Sequence, residues 1–138
     1  MANTALATRA AHDLSLFRSR VLVVDPDPPR GRFVADELNT SGRRQESRWV
    51  AQLAEARALL KAGWPDAVAV YVPEAADGAL EGIGVLRKAA PDVPIVAFSA
   101  TDDPALARLA VQAGAADHVT VSYDRMDLFA RTIDRAVE

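Results

Sequence analysis

The sequence contains no cysteine, which excludes a disulfide framework and any thiolate metal centre. Histidine is nearly as scarce, and His12 and His118 lie too far apart in sequence to suggest a histidine-based metal site. No apolar run approaches the roughly 20 residues that a membrane span needs. The start also lacks a basic segment followed by an apolar block, so a cytoplasmic location without membrane contact is expected. The formal charge of -3 is spread along the chain and leaves no basic stripe, so direct nucleic-acid binding is not expected either. Lysine occurs only at Lys61 and Lys88 against many arginines, a usage that suggests a GC-rich, bacterial coding sequence. What remains is a chain of 138 residues, half of them apolar and a quarter charged, the composition of one globular domain.

Residues 1–19 read as an N-terminal arm, either loose or a short amphipathic helix on Leu6, Ala10, Leu14 and Phe17. The domain proper is expected over residues 20–138. Val21-Leu22-Val23-Val24 has the unbroken apolar pattern of a buried parallel strand. Asp27 then reads as the N-cap of a helix started by Pro28-Pro29 and running to about Thr40, with Phe33, Val34 and Leu38 inward. A weak edge strand, Ser47 to Val50, precedes a second helix over about Gln52 to Ala62 that buries Leu53, Ala56 and Leu60. Ala67-Val68-Ala69-Val70 is a further buried strand with Tyr71 at its carboxyl end. A third helix carries Ile83, Leu86 and Ala90 inward, and Ile95 to Phe98 forms the fourth strand. Asp102 or Asp103 with Pro104 opens a fourth helix, closed by Gly114. A fifth strand, Asp117 to Val121, leads to a last helix capped by Asp124. Such alternation specifies an α/β domain with a doubly wound parallel sheet and helices on both faces.

Five of these segments resemble, in register, the receiver domains of bacterial two-component response regulators. They are Val21 to Asp25, Pro65 to Val70, Glu81 to Arg87, Pro94 to Ala100 and Ala113 to Asp117. The resemblance covers about residues 20–138 and implies the (βα)5 flavodoxin-like fold with strand order 2-1-3-4-5. It also implies a phosphoacceptor site at the strand ends. There the family's acceptor aspartate falls on Tyr71, its acidic pair on Asp25 and Pro26, its hydroxyl on Ser99, its switch aromatic on His118, and its lysine and following proline on Val121 and Ser122. Only Asp25 and Ser99 keep the family's chemistry.

Each loss has a physical consequence. Mg²⁺ needs near-octahedral oxygen ligands, and Asp25 is the one weak candidate left, so no metal or other cofactor is expected. Phosphoryl transfer is mostly positioning and neutralisation of oxygen charge, and Val121 supplies no cation. A phenol with a pKa of about 10 is a poor acceptor without a base beside it. The alternative is a displaced phosphorylation site with Mg²⁺, for which Asp27, Glu74 and Asp77 are the candidate acids. Against them, Asp27 is wanted as a cap and Asp77-Gly78 reads as a turn. His118 reads as a half-buried, hydrogen-bonded strand histidine, with a pH-sensitive contact as the alternative. Asp102-Asp103 before Pro104 is ordinary helix-start chemistry.

The reading that follows is a pseudo-receiver: a regulatory protein-interaction module, not an enzyme, that works through dimerisation or partner contacts. The fourth helix is expected to bury Leu106, Leu109 and Ala113, leaving Ala107 and Val111 outward. The last helix is expected to bury Met126, Phe129, Ile133 and Val137, leaving Leu128 beside Arg125, Arg131 and Arg135. Ala107, Val111, His118, Leu128 and Arg131 then form an interaction face for a second copy, a protein partner or a linked output domain. The rival is a flavodoxin-like small-ligand binder, for which Asp25-Pro26-Asp27-Pro28-Pro29 is too stiff and acidic to make a phosphate loop.

Overall fold

The computed structural model describes residues 19–40, 45–73 and 77–138. Strand and helix alternate as β1 (Ser19–Val24), α1 (Pro28–Thr40), β2 (Gln45–Val50), α2 (Leu53–Lys61), β3 (Ala67–Tyr71), α3 (Asp77–Ala89), β4 (Ile95–Ser99), α4 (Pro104–Ala113) and β5 (Asp117–Thr120). A 3-10 turn (Tyr123–Arg125) and α5 (Met126–Val137) complete the order. Every strand pair is parallel, and the sheet runs β2-β1-β3-β4-β5, as the alternation and the resemblance imply. The order reverses between β1 and β3, which opens a crevice at their carboxyl ends.

The period of two along each strand decides which helix covers which side chain. Val21 and Val23 of β1, Ala67 and Ala69 of β3, and Val96 and Phe98 of β4 pack with Val34 and Leu38 of α1 and Phe129 and Ile133 of α5. Leu22, Val24, Val68, Val70, Ile95 and Ala97 point the other way, onto α2, α3 and Leu106 and Ala110 of α4. Both faces are thus closed, and strands without polar alternation follow. Phe98 and Phe129 anchor the first layer, with ring centroids 5.4 Å apart.

Helix starts and stops are local. The Asp103 carboxylate accepts from the N–H groups of Ala105 and Leu106, with Pro104 next to it, and so starts α4. Gly114, at φ 125°, ends that helix in a conformation other residues rarely adopt, and a Cβ there would meet the Arg87 side chain at 2.7 Å.

Several expectations are corrected. Leu109 is not buried but 46 % exposed, and Ala110 takes the inward position because a methyl lets α4 lie close to the sheet. Asp124 does not cap α5: it sits in the 3-10 turn and accepts from the Ser122 hydroxyl at 2.8 Å, and Arg125 precedes the helix without a side-chain cap. β2 begins at Gln45, two residues early, because the buried Gln45 amide donates to Ala130 O (2.9 Å) and Asp134 Oδ1 (2.8 Å) and ties this edge strand to α5. The β5 ladder stops at Thr120, although the Val121 N–H still donates to Ser99 O at 2.8 Å. β1 already includes Ser19; the helix expected in the arm lies outside the described residues. Among the described residues no helix is long and apolar enough to cross a membrane.

Candidate functional site

The carboxyl edge of the sheet gathers Asp25 after β1, Tyr71 at the end of β3 and Ser99 at the end of β4. Asp25 is fully buried. Its backbone is fixed by a hydrogen bond from its own N–H to Val50 O (3.1 Å) and one from Trp49 Nε1 to its carbonyl (2.9 Å). Trp49 lies where a Cβ on Gly31 would stand, so the glycine in α1 is the condition for that contact. The chain then turns tightly: the Asp27 N–H donates to Asp25 Oδ1 at 2.9 Å. Asp27 caps α1 by accepting from the Arg30 N–H at 3.3 Å.

That turn sends the Arg30 side chain back over the strand end. Its Nε donates to Asp25 Oδ2 and its Nη2 to Asp25 Oδ1, both at 2.7 Å, a bidentate charge-assisted pair. Its guanidinium carbon lies 3.5 Å above the centre of the Tyr71 ring. The hydrogen bond to Asp25 raises the Arg30 pKa above its already high ordinary value. Tyr71 is held edge-on to Phe98, with centroids 5.7 Å apart. Arg30 is the central residue that sequence reasoning missed. Its only signal is a cation five positions after a strand-end acid, across a turn that two prolines make rigid.

Among the described residues the side chains at the strand ends do not fit a magnesium ion. Both Asp25 oxygens are engaged by Arg30, and Oδ1 also by the Asp27 N–H. Pro26 offers no side-chain ligand atom, Tyr71 a phenol beneath a cation, and Val121 a methyl pair. Among the described residues no three acids or histidines are grouped to hold a metal. Glu74 and the side chain of Asp77 lie outside the described residues.

Ser99 and His118 are brought together, with Oγ and Nε2 2.9 Å apart. The Ser99 hydroxyl already donates to Thr101 O at 2.9 Å. When that bond is made the bridging proton comes from His118 Nε2, so the pair's donor and acceptor roles follow the imidazole tautomer. Burial holds the His118 imidazole below its usual pKa, partly offset by the carboxylates of Asp117, Asp102 and Asp103.

The face made by α4, β5 and α5 is separate. Val111 is 50 % exposed and Leu128 41 %, with Leu109 between the expected positions. Ala107 and His118 are half-buried and Arg131 is exposed. A polar recess of about 290 Å³, lined by Asp102, His118, Arg125, Leu128 and Arg135, separates β5 from α5.

No family model matches the chain, and no curated protein matches it in sequence. Solved structures do match it. A response regulator from Thermotoga maritima superposes with a TM-score of 0.72 at 24 % identity, covering 88 % of this chain and 98 % of that one. The signal receiver domain of the putative response regulator NarL from Mycobacterium tuberculosis gives 0.68 at 25 %, covering 87 % and 97 %. The beryllofluoride-activated NtrC4 receiver domain dimer gives 0.68 at 20 %, covering 86 % and 98 %. The fold is that of a response-regulator receiver domain. Within this fold Tyr71 ends β3 beneath a guanidinium, and the cation beside Asp25 is an arginine of the chain itself.

Proposed function

We propose that this chain is a phosphorylation-independent pseudo-receiver, a non-catalytic signalling module that acts by protein contact and uses no Mg²⁺. The observation that carries the reading is the Arg30–Asp25 pair beneath which Tyr71 is stacked. A receiver site needs an acid free to take a metal and a carboxylate free to take a phosphoryl group. Here the acid is neutralised internally and the carboxylate is a phenol. Rescue by Asp27 is disfavoured, since its carboxylate already caps α1 and lies 3.7 Å from Arg30 Nη1.

Contact would be made through α4, β5 and α5, where Val111, Leu109 and Leu128 offer exposed apolar surface beside Arg131. A second copy is one occupant, consistent with the dimer named for the NtrC4 receiver. A protein partner or a linked output domain is the other, such as a nucleotide-second-messenger enzyme, a kinase or a transcription factor. A cytoplasmic site of action goes with this role.

The test is amide NMR of the chain titrated with Mg²⁺ and then with beryllofluoride, a mimic of a carboxylate-bound phosphoryl group. The expected result is no saturable shift at Asp25, Tyr71, Ser99 or Val121. Saturable shifts there would return the domain to the phosphorylation-switched class, through a carboxylate displaced from position 71.

A further inference from the structure

Arg30 borders a cleft of about 340 Å³ between α1 and the ends of β4 and β5, walled by Phe33, Val34, Phe98 and Val121 with Asp27 at its mouth. Tyr71 does not line this cleft. It belongs to a different recess of about 290 Å³, with Leu53 and Val70. The Tyr71 ring covers one face of the guanidinium at 3.5 Å, and Arg30 is also among the residues that line the cleft.

We propose that this cleft is a binding site for a small, uncharged, planar aromatic molecule, which completes a sandwich of Tyr71, the Arg30 guanidinium and the ligand ring. Three features select that class. Apolar walls at the carboxyl edge of a parallel sheet exclude strongly hydrated ligands. A guanidinium held flat by a bidentate pair rewards a π-face over an aliphatic one. Charge is already balanced or negative there, because Asp25 and Asp27 face the single Arg30, so an anionic acid is repelled. The volume lies near the lower end of the usual range for ligand sites, which limits the ligand to one or two fused rings. Binding here goes beyond the signalling role, shares with it the Arg30–Asp25 pair, and is read with an organic probe at Phe98 and Val121 rather than with Mg²⁺.

The experiment is an amide NMR titration of the chain with indole and, separately, with cyclohexanol. Indole is expected to give saturable shifts centred on Phe98, Ala100, Val121 and Ser122. Cyclohexanol, which has no π-face, is expected to bind at least about five-fold more weakly, the ratio that a stacking contribution of about 1 kcal/mol produces. Val121→Trp fills the cleft and should abolish the indole shifts. Arg30→Lys keeps a cation on Asp25 but removes the plane, and should bring the two probes close to equal affinity. The proposal is overturned by an absence of saturation with indole, by equal binding of the two probes to the parent chain, by shifts centred on Leu53 and Val70, or by unchanged binding in Val121→Trp. The last variant decides the matter if Arg30→Lys does not fold.

Discussion

Replacing Arg30 by methionine tests the centre of the site, because it keeps much of the aliphatic stem and removes the charge. Asp25 is then left fully buried with one remaining hydrogen bond to its carboxylate, from the Asp27 N–H at 2.9 Å. Breaking a buried pair from one side costs about 3–5 kcal/mol. Arg30 is 31 % exposed, so water reaches the gap and the lower end applies, with the lost stack on Tyr71 adding about 1 kcal/mol. The expected loss is therefore about 3–4 kcal/mol. Asp25→Asn should cost less, about 1–2 kcal/mol, because the freed arginine can turn to solvent. The double variant should then show a coupling of about 2 kcal/mol. Urea denaturation followed by the fluorescence of Trp49 and Trp64 measures all three. A loss under about 1 kcal/mol, or a coupling near zero, would refute the view that Arg30 is the resident counter-ion of Asp25.

Tyr71→Asp alone is expected to leave the domain silent to Mg²⁺ and beryllofluoride, while adding Pro26→Asp and Val121→Lys produces saturable NMR shifts; full response of the single variant would contradict the account. Val111→Glu, at a half-exposed position, should change the urea midpoint by no more than about 0.5 kcal/mol equivalent, while weakening self-association in sedimentation or partner binding. A large stability loss would instead place Val111 in the core. Burial lowers the His118 pKa, so the unfolded chain takes up this proton before the folded one, and stability should fall as pH drops below about 6.5. The decline ends once the folded histidine is also protonated. His118→Gln should flatten the urea midpoint between pH 7 and pH 5, and an unchanged slope would show that other groups carry it.

The sheet was legible because burial on both faces leaves a local mark. Val21 to Val24, Ala67 to Val70 and Ile95 to Phe98 have no polar alternation, and each is a central strand. The caps at Asp27 and Asp103 were equally local, each set by an acid followed by proline. Leu109 was misplaced because Leu106, Leu109 and Ala113 make as good a helical stripe as Leu106, Ala110 and Ala113. Which stripe faces the sheet depends on how closely α4 approaches, and hydrophobicity alone favours the larger side chain over the alanine that fits. Asp124 failed for a different reason: a neighbouring Ser122 hydroxyl competes for the carboxylate that the helix start would use. The arginine over Tyr71 left almost no trace, since the two residues lie 41 positions apart and meet only when β1 and β3 pair.

The burial of Asp25 at the end of β1 has a physical account that needs no phosphoryl chemistry. A cluster of acids at a strand end is self-repelling until a cation arrives, and its stability depends on that cation. Arg30 removes the dependence by carrying the positive charge within the chain, five residues from the acid it neutralises. Asp25 then works as a joint: its carboxylate takes the Asp27 N–H, its carbonyl takes Trp49 Nε1, and both faces of the turn into α1 are fixed by one residue. Asp25→Asn should accordingly preserve the fold better than Asp25→Ala, because the amide oxygen can still accept from the Asp27 N–H. Among the described residues, Arg30 and the Asp27 N–H already engage both Asp25 oxygens that an external ion would need. On the proposed reading a signal enters by contact on α4, β5 and α5 or by a ligand in the cleft beside Val121, where the surface is apolar and open.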